Sequence, residues 1–347
     1  MKKYIAILIA AILVIGSLSG CGSESAKASA KGKTKIVTTI FPIYDWVVNV
    51  MGDKAGDAEI TMLLDNGVDL HSFQPTAADI LKIANCDLFI YVGGESDEWV
   101  EDALKEAVNK DMKVINLLET LGDKVKEEEM VEGMQESEHH HDEDEDHDHE
   151  DADHEHEDHD HEHEEEEGPE YDEHVWLSLK DASFITEKIG ETISEIDPAN
   201  ASFYKGNAKA YTDKLAVLDK EYAQVVSEGS KDTVLFGDRF PFRYMTDDYN
   251  LNYYAAFVGC SAETEASFET VTFLAGKVDE LGLKAILTIE GPDHRIAETI
   301  RDNTASKDQQ ILTLDSMQSV TSKNVQDGTT YYGIMSNNLE VLKQALN

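Results

Sequence analysis

Residues 199–228 read ANASFYKGNAKAYTDKLAVLDKEYAQVVSE, a largely polar segment that predicts one long helix. Apolar and aromatic side chains recur at the spacing of a single helix face, at Phe203, Tyr204, Tyr211, Leu215, Leu218 and Tyr222. Pro198 stands where proline favours a first helical turn, and Gly206 is the weak point of the pattern. A continuous helix of this length would span about 45 Å. Because α/β patterns lie on both sides, we interpret the segment as a rigid connector between two lobes.

The flanking segments alternate between strand-like and helix-like patterns. Short β-rich apolar runs predict strands, in residues 35–43, 58–64, 87–92, 112–117, 233–236, 252–257, 285–289 and 310–314. Helical periodicity lies between these runs and closes the chain. Strands that alternate with helices form parallel sheets covered on both faces, and 347 residues suffice for two such domains. The predicted fold is therefore α/β, with a mainly parallel sheet in each of two lobes that one long linker helix joins.

These patterns divide the chain into five segments. We predict a signal peptide in residues 1–21, a flexible tether in 22–34, a first lobe in 35–196, the connecting helix in 197–229 and a second lobe in 230–347. Within the first lobe, residues of about 127–170 lack apolar side chains for a core and repel one another, so we expect a disordered insertion there.

The N-terminus has the pattern of a bacterial export signal. Lys2 and Lys3 precede a run of twelve apolar residues, which is too short and wrongly flanked for a stable membrane-spanning helix. The following sequence, LSGC, resembles a lipobox. We therefore expect lipid on Cys21 and an extracytoplasmic protein anchored to the cell membrane. The alternative is a plain signal peptide with an incidental cysteine.

A tract of His, Asp and Glu at residues 138–167 predicts metal binding. It contains 19 acids and no Lys or Arg, so the rest of the chain carries −23 of the formal charge of −42. Its histidines are His139, His140, His141, His147, His149, His154, His156, His159, His161 and His163. Imidazole suits Zn²⁺, Cu²⁺ and Ni²⁺, and a mobile tract would capture several ions loosely. The acidic balance argues against nucleic acid as a partner. The alternatives are a purification tag and a merely solvated acidic loop.

Three further histidines and five carboxylates are candidates for a folded metal site. His71 follows a predicted strand and a turn, where α/β folds place ligands, and His174 directly follows the tract. His294 fits a surface position better. The carboxylates stand at predicted strand ends or in the loops that follow, at Asp238, Glu263, Glu265, Glu290 and Asp315.

Other classes of site find no support in the sequence. Cys86 and Cys260 have neither C-x-x-C spacing nor the even framework of a disulfide scaffold. Cys86 fits a small buried thiol, and the sequence assigns no role to Cys260. The motifs of serine hydrolases, P-loop proteins, dinucleotide-binding folds and H-E-x-x-H zinc proteases are absent.

A likeness to a known family covers about residues 35–347, in the stretches VTTIFPIYDWV, GVDLHSFQPTAADI, CDLFIYVGGESDEWV, HVWLSLKDA, GCSAETEAS and TYYGIMSNNLEVLKQAL. These stretches resemble the zinc/manganese family of solute-binding lipoproteins that serve ABC importers, and its zinc branch most. The resemblance implies two α/β lobes with metal bound in the cleft between them. It implies His71 and His174 as ligands from the first lobe and Asp315 from the second.

One departure from the family concerns the second lobe. Where members usually have His or Glu, this chain reads VLFGDRFPFRY and the best register places Gly237 there. That ligand would be missing, or replaced by Asp238 or by water. Two imidazoles, one carboxylate and a further oxygen form a plausible four-coordinate Zn²⁺ site.

The resemblance implies a receptor rather than an enzyme. We expect a monomer that captures Zn²⁺ as cargo and delivers it to an ABC importer permease. The alternatives are a surface metal buffer, chaperone or adhesin-like lipoprotein without a permease, and an outer-surface metallohydrolase.

Overall fold

The computed structural model describes residues 32–135, 170–261 and 265–347. The predicted signal peptide with Cys21, the histidine tract and Glu263 lie outside the described residues. Residues 34–347 form one compact unit. None of the helices in the described ranges combines the length and the apolar character that a membrane crossing requires.

Two four-stranded parallel sheets organise this unit. The first has the order β2-β1-β3-β4 and the second the order β6-β5-β7-β8, and all the pairings within them are parallel. The strands are β1 Thr34–Thr38, β2 Ala58–Met62, β3 Leu88–Tyr91, β4 Lys113–Asn116, β5 Thr233–Phe240, β6 Asn252–Val258, β7 Ala285–Thr288 and β8 Gln310–Thr313.

Helices connect the strands and cover the sheets. They are α1 Phe41–Met51, α2 Ala77–Ala84, α3 Trp99–Lys105, α4 Leu117–Leu121, α5 Leu179–Ile196, α6 Ala201–Glu228, α7 Arg243–Tyr249, α8 Phe268–Leu281, α9 Arg295–Asn303, α10 Ser322–Gln326 and α11 Tyr331–Ala345. Many are preceded by a capping residue whose side chain accepts a hydrogen bond from a backbone N–H of the first turn. Such N–H groups have no partner within the helix. Thr76 and Thr321 do so as part of full capping boxes.

The predicted fold class is confirmed, including the long linker. Helix α6 has 28 residues, which corresponds to about 42 Å, and it lies between the two sheets in the sequence. The strand predicted over residues 35–43 was too long, because Pro42 lies in the first turn of α1 and the helix begins at Phe41. Strand β5 is four residues longer than predicted and contains a register irregularity between Phe236 and Arg239.

The two halves share one large apolar core. It includes Trp46, Phe89 and Trp176 from the first half with Phe236 and Tyr331 from the second. Buried hydrogen bonds reinforce it across the halves: the Trp176 indole donates to the Ser316 carbonyl oxygen at 2.9 Å, and the Tyr331 hydroxyl donates to the Trp176 carbonyl oxygen at 2.7 Å. A continuous core of this kind favours small relative movements, since close-packed interiors resist deformation.

We expect the metal-free protein to lose stability as the pH rises from 4 to 7. Burial raises the pKa of Asp45 and of Asp97 from 3.8 to about 6, so the folded state binds more protons than the unfolded state within this window. Each shift corresponds to a loss of about 3 kcal/mol in the free energy of unfolding across the window. The pKa of His71 is lowered to about 3, so this single group has the opposite effect and adds stability as the pH rises. Urea unfolding at both pH values measures the slope, which Asp97→Asn should reduce. A free energy of unfolding that increases over this range would contradict the expectation.

Candidate metal centre

His71 lies in a short turn between β2 and α2. The Asp69 carboxylate accepts the His71 amide at 3.0 Å, which fixes the start of the turn Leu70–Ser72. The His71 Nδ1 atom lies 2.8 Å from Ser96 Oγ and 3.5 Å from Glu173 Oε2. With Nδ1 hydrogen-bonded to Ser96 Oγ, the Nε2 lone pair of His71 is available to a metal ion.

His174 precedes α5 and is completely buried. Its Nδ1 atom lies 3.0 Å from Asp172 Oδ1, and the same oxygen accepts the His174 amide at 2.9 Å. The Tyr244 hydroxyl donates to the Asp172 carbonyl oxygen at 2.8 Å, so the second half of the chain supports this segment. A carboxylate on Nδ1 holds the ring in the tautomer whose Nε2 atom can coordinate a cation.

The two imidazoles meet through these Nε2 atoms, which are 3.2 Å apart. Two nitrogen ligands at tetrahedral angles on one Zn²⁺ would be separated by about 3.3 Å, given Zn–N bonds of about 2.0–2.1 Å. The observed pair therefore already has the spacing that one zinc ion needs.

Cys260, which the sequence left without a role, completes a group of three. Ligand atoms of His71, His174 and Cys260 all lie within 4.8 Å of one another. Cys260 follows β6, so this member comes from the second sheet's half of the chain. Two sequence signals could have indicated it: its place in the loop after a strand, and its position within the family-like stretch GCSAETEAS.

Burial dominates the electrostatics of the group. Desolvation, followed by the neighbouring His174, lowers the pKa of His71 to about 3. Burial alone would raise the pKa of Asp69, but the charges of Arg239 and His71 outweigh it and the net shift is downward. The Arg239 guanidinium donates to the Asp69 carboxylate in an ion pair between the halves. The His71 ring is therefore neutral and able to coordinate well below neutral pH.

Glu173 lies beside the group in a nearly enclosed position. Its Oε1 atom accepts the Ser96 amide at 2.9 Å, whereas Oε2 has no hydrogen-bond partner and is buried. Burial raises the pKa of this carboxyl to about 7. Because Oε2 faces His71 Nδ1, this carboxylate can strengthen the imidazole as a ligand.

Of the carboxylates predicted from the sequence, Asp238, Glu265, Glu290 and Asp315 lie in the described ranges, and none of these four is a member of the group. Asp238 accepts the amides of Arg239 and Ile289, and Asp315 accepts the amide of Met317. Both therefore stabilise local backbone turns in this structure, and as ligands of a bound ion they remain predictions. Glu290 accepts three amides in the loop after Asp315, from Ser316, Gln318 and Ser319.

Gly237 and His294 also lie outside the group. His294 is half-buried and directly precedes α9. A cavity beside the group is lined by acidic and basic side chains together, among them Asp69, Asp238, Arg239, Glu265, Asp293 and Arg295. Ser72 and Ser261, the sequence neighbours of His71 and Cys260, line it too.

Two parallel-sheet lobes, a long linker helix and a pair of imidazoles whose Nε2 atoms lie 3.2 Å apart are the features of a metal-binding α/β protein of the solute-binding class. Residues 36–345 match the family described as ZnuA, periplasmic component A of the zinc-uptake complex. The chain belongs to this family.

Individual relatives agree with this assignment. The zinc-binding protein AdcA of Streptococcus pyogenes serotype M3 is 29% identical over 347 residues, which cover 99% of this chain and 61% of AdcA. The chain thus spans about three fifths of that relative. The high-affinity zinc uptake system protein ZnuA of Bacillus subtilis is 30% identical over 349 residues, which cover 99% of this chain and 98% of that protein.

A solved structure shares the fold. The Zn(II)-bound ZnuA-like domain of AdcA from Streptococcus pneumoniae superposes with a TM-score of 0.66 at 26% identity, over 91% of this chain and 99% of that domain.

Proposed function

We propose that the protein is an extracytoplasmic receptor that captures Zn²⁺ between its two lobes and delivers it to the permease of an ABC importer. Zinc is the cargo in this proposal, and the protein catalyses no reaction on it. The observation that carries the proposal is the 3.2 Å approach of the two Nε2 atoms, each on a ring whose Nδ1 atom is engaged by oxygen.

The position of the two rings supports binding between the lobes. His71 and His174 both belong to the part of the chain that precedes helix α6, and Cys260 belongs to the part that follows it. An ion on all three side chains would connect the lobes. The Arg239–Asp69 ion pair spans the same boundary, and its two side chains line the cavity that opens beside the group.

Small lobe movements fit this arrangement better than wide closure. The shared core and the 28-residue helix α6 restrict the hinge, and the two rings already have the spacing for one ion. Release to a permease then requires only that the lobes separate enough to remove the second-lobe contact.

Deletion of residues 138–167 should leave one tight zinc site intact and lower the total zinc stoichiometry. The ten histidines of this tract offer many similar ligand pairs, so we expect several weak sites in it and no single tight one. Isothermal titration calorimetry of the full chain and of the deletion variant measures both quantities. Loss of the tight site together with the tract would contradict the assignment to His71 and His174.

Zinc uptake by cells tests the delivery step. A strain that lacks this protein should grow poorly when zinc is limiting, and the wild-type gene should restore growth where the His71→Ala gene does not. Normal zinc uptake in the strain without the protein would instead favour a surface buffer that has no permease.

A further inference from the structure

Gly237 has no room for the side chain that family members usually have at this position of the second lobe. A Cβ atom at Gly237 would lie 2.5 Å from Ala297 Cα and 2.9 Å from Ala297 N. These are backbone atoms of α9, so a side chain at this position would require the helix to move. The close approach of β5 to α9 therefore excludes any metal-ligating side chain at residue 237.

Cys260 reaches the histidines by a different route. Gly259 packs directly on the His174 ring, since an added Cβ atom there would lie 3.1 Å from His174 Cε1 and 2.9 Å from the Phe240 carbonyl oxygen. This contact holds the chain after β6 against the buried imidazole. The Cys260 amide donates to Glu128 Oε1 at 3.1 Å, which fixes the following residue.

The surroundings of Cys260 differ from those of a structural thiol. Cys86 is fully buried, and its thiol lies 3.4 Å from the Met112 sulfur at the edge of the first sheet. Cys260, by contrast, has its sulfur within 4.8 Å of coordinating atoms of two imidazoles. These neighbours favour metal coordination as the role of Cys260 over packing alone.

We propose that Cys260 is the second lobe's zinc ligand, so that this chain holds its cargo with two imidazoles and one thiolate, the thiolate standing in place of the His or Glu that is usual in the family. The inference rests on the proposed function, since it names a ligand of the same site. A fourth position would be filled by water or by one further oxygen ligand, as four-coordinate zinc requires.

Coordination involves loss of a proton and no change of oxidation state. The sulfur–hydrogen bond breaks as the sulfur–zinc bond forms, and the proton leaves to solvent. Zinc remains divalent throughout. A thiolate prefers Zn²⁺ over Mn²⁺, which favours oxygen ligands, so Cys260 would determine which cation the receptor selects.

Cobalt spectroscopy and zinc competition together test the assignment. We would use the full chain with Cys21→Ser, which removes the terminal thiol and the lipid, so that Cys86 and Cys260 are the only cysteines. One equivalent of Co²⁺ should give a near-ultraviolet sulfur-to-cobalt charge-transfer band. Cys260→Ser and Cys260→His should both lose this band, whereas Cys86→Ala should keep it.

Zinc affinity, measured against a chromophoric chelator, should separate the same variants. Cys260→Ser should lose more than the ~10–100-fold that removal of an outer-shell partner costs, and Cys260→His should recover part of the loss. A wild-type spectrum without the sulfur band, or unchanged zinc affinity in Cys260→Ser, would overturn the thiolate assignment. Absence of tight zinc binding in the unsubstituted site would overturn the proposed function itself.

Discussion

Replacement of His174 by alanine should abolish tight zinc binding. The ring is completely buried, its Nδ1 atom is held by Asp172, and its Nε2 atom lies 3.2 Å from that of His71. Loss of this ring removes one of the two proposed nitrogen ligands. A water molecule in the space left behind would bind the ion more weakly than the imidazole does. We expect an effect well beyond the ~10–100-fold that an outer-shell substitution causes, measured by chelator competition.

His294→Ala provides the matched control. Like His174, His294 precedes a helix, in this case α9, but it is not a member of the group of three. Its replacement should leave the tight site unchanged. Circular dichroism would show whether His174→Ala remains folded, and His71→Ala, whose ring is partly exposed, repeats the test with less disturbance of the core. Unchanged zinc affinity in both histidine variants would refute the proposed site.

Replacement of Gly237 by histidine should unfold or severely destabilise the protein rather than improve zinc binding. The residue packs against the backbone of α9, and even a methyl group would approach Ala297 Cα to 2.5 Å. Overpacking typically costs about 1–3 kcal/mol, and an imidazole is far larger than a methyl group. Urea unfolding of the metal-free variant, compared with wild type, measures the loss.

Gly206→Ala is the corresponding control. Gly206 lies inside α6, and a Cβ atom added there meets nothing within 4 Å. Because alanine is the better helix former, this change should stabilise the protein by about 0.5–1 kcal/mol. A Gly237→His variant as stable as wild type, with higher zinc affinity, would show that α9 can move and that residue 237 can hold metal.

The fold could be predicted because its signals are local and periodic. Alternating strand and helix patterns on each side of residues 199–228 were enough to predict two parallel sheets and the linker. The ends of the elements were less predictable. From the sequence, Pro42 fits either the end of a strand or the first turn of a helix. The structure places it in the first turn of α1.

Of the three members of the candidate site, the two histidines of the first lobe could be predicted from the sequence, and Cys260 could not. His71 and His174 stand out because each follows a recognisable signal, a strand-end turn or the histidine tract. Cys260 does not, because its approach depends on a contact between residues that are far apart in the sequence, namely Gly259 against the His174 ring. Asp315 matches a family pattern and stays a prediction as a ligand; in this structure its carboxylate accepts the Met317 amide in a local turn.

The account depends most directly on a single ion shared by two rings. Anomalous diffraction at the zinc edge from crystals of the zinc-loaded protein would locate that ion. We predict one strong peak about 2.0–2.1 Å from Nε2 of both His71 and His174. A strongest peak bonded to neither ring, or to only one of them, would contradict the proposal.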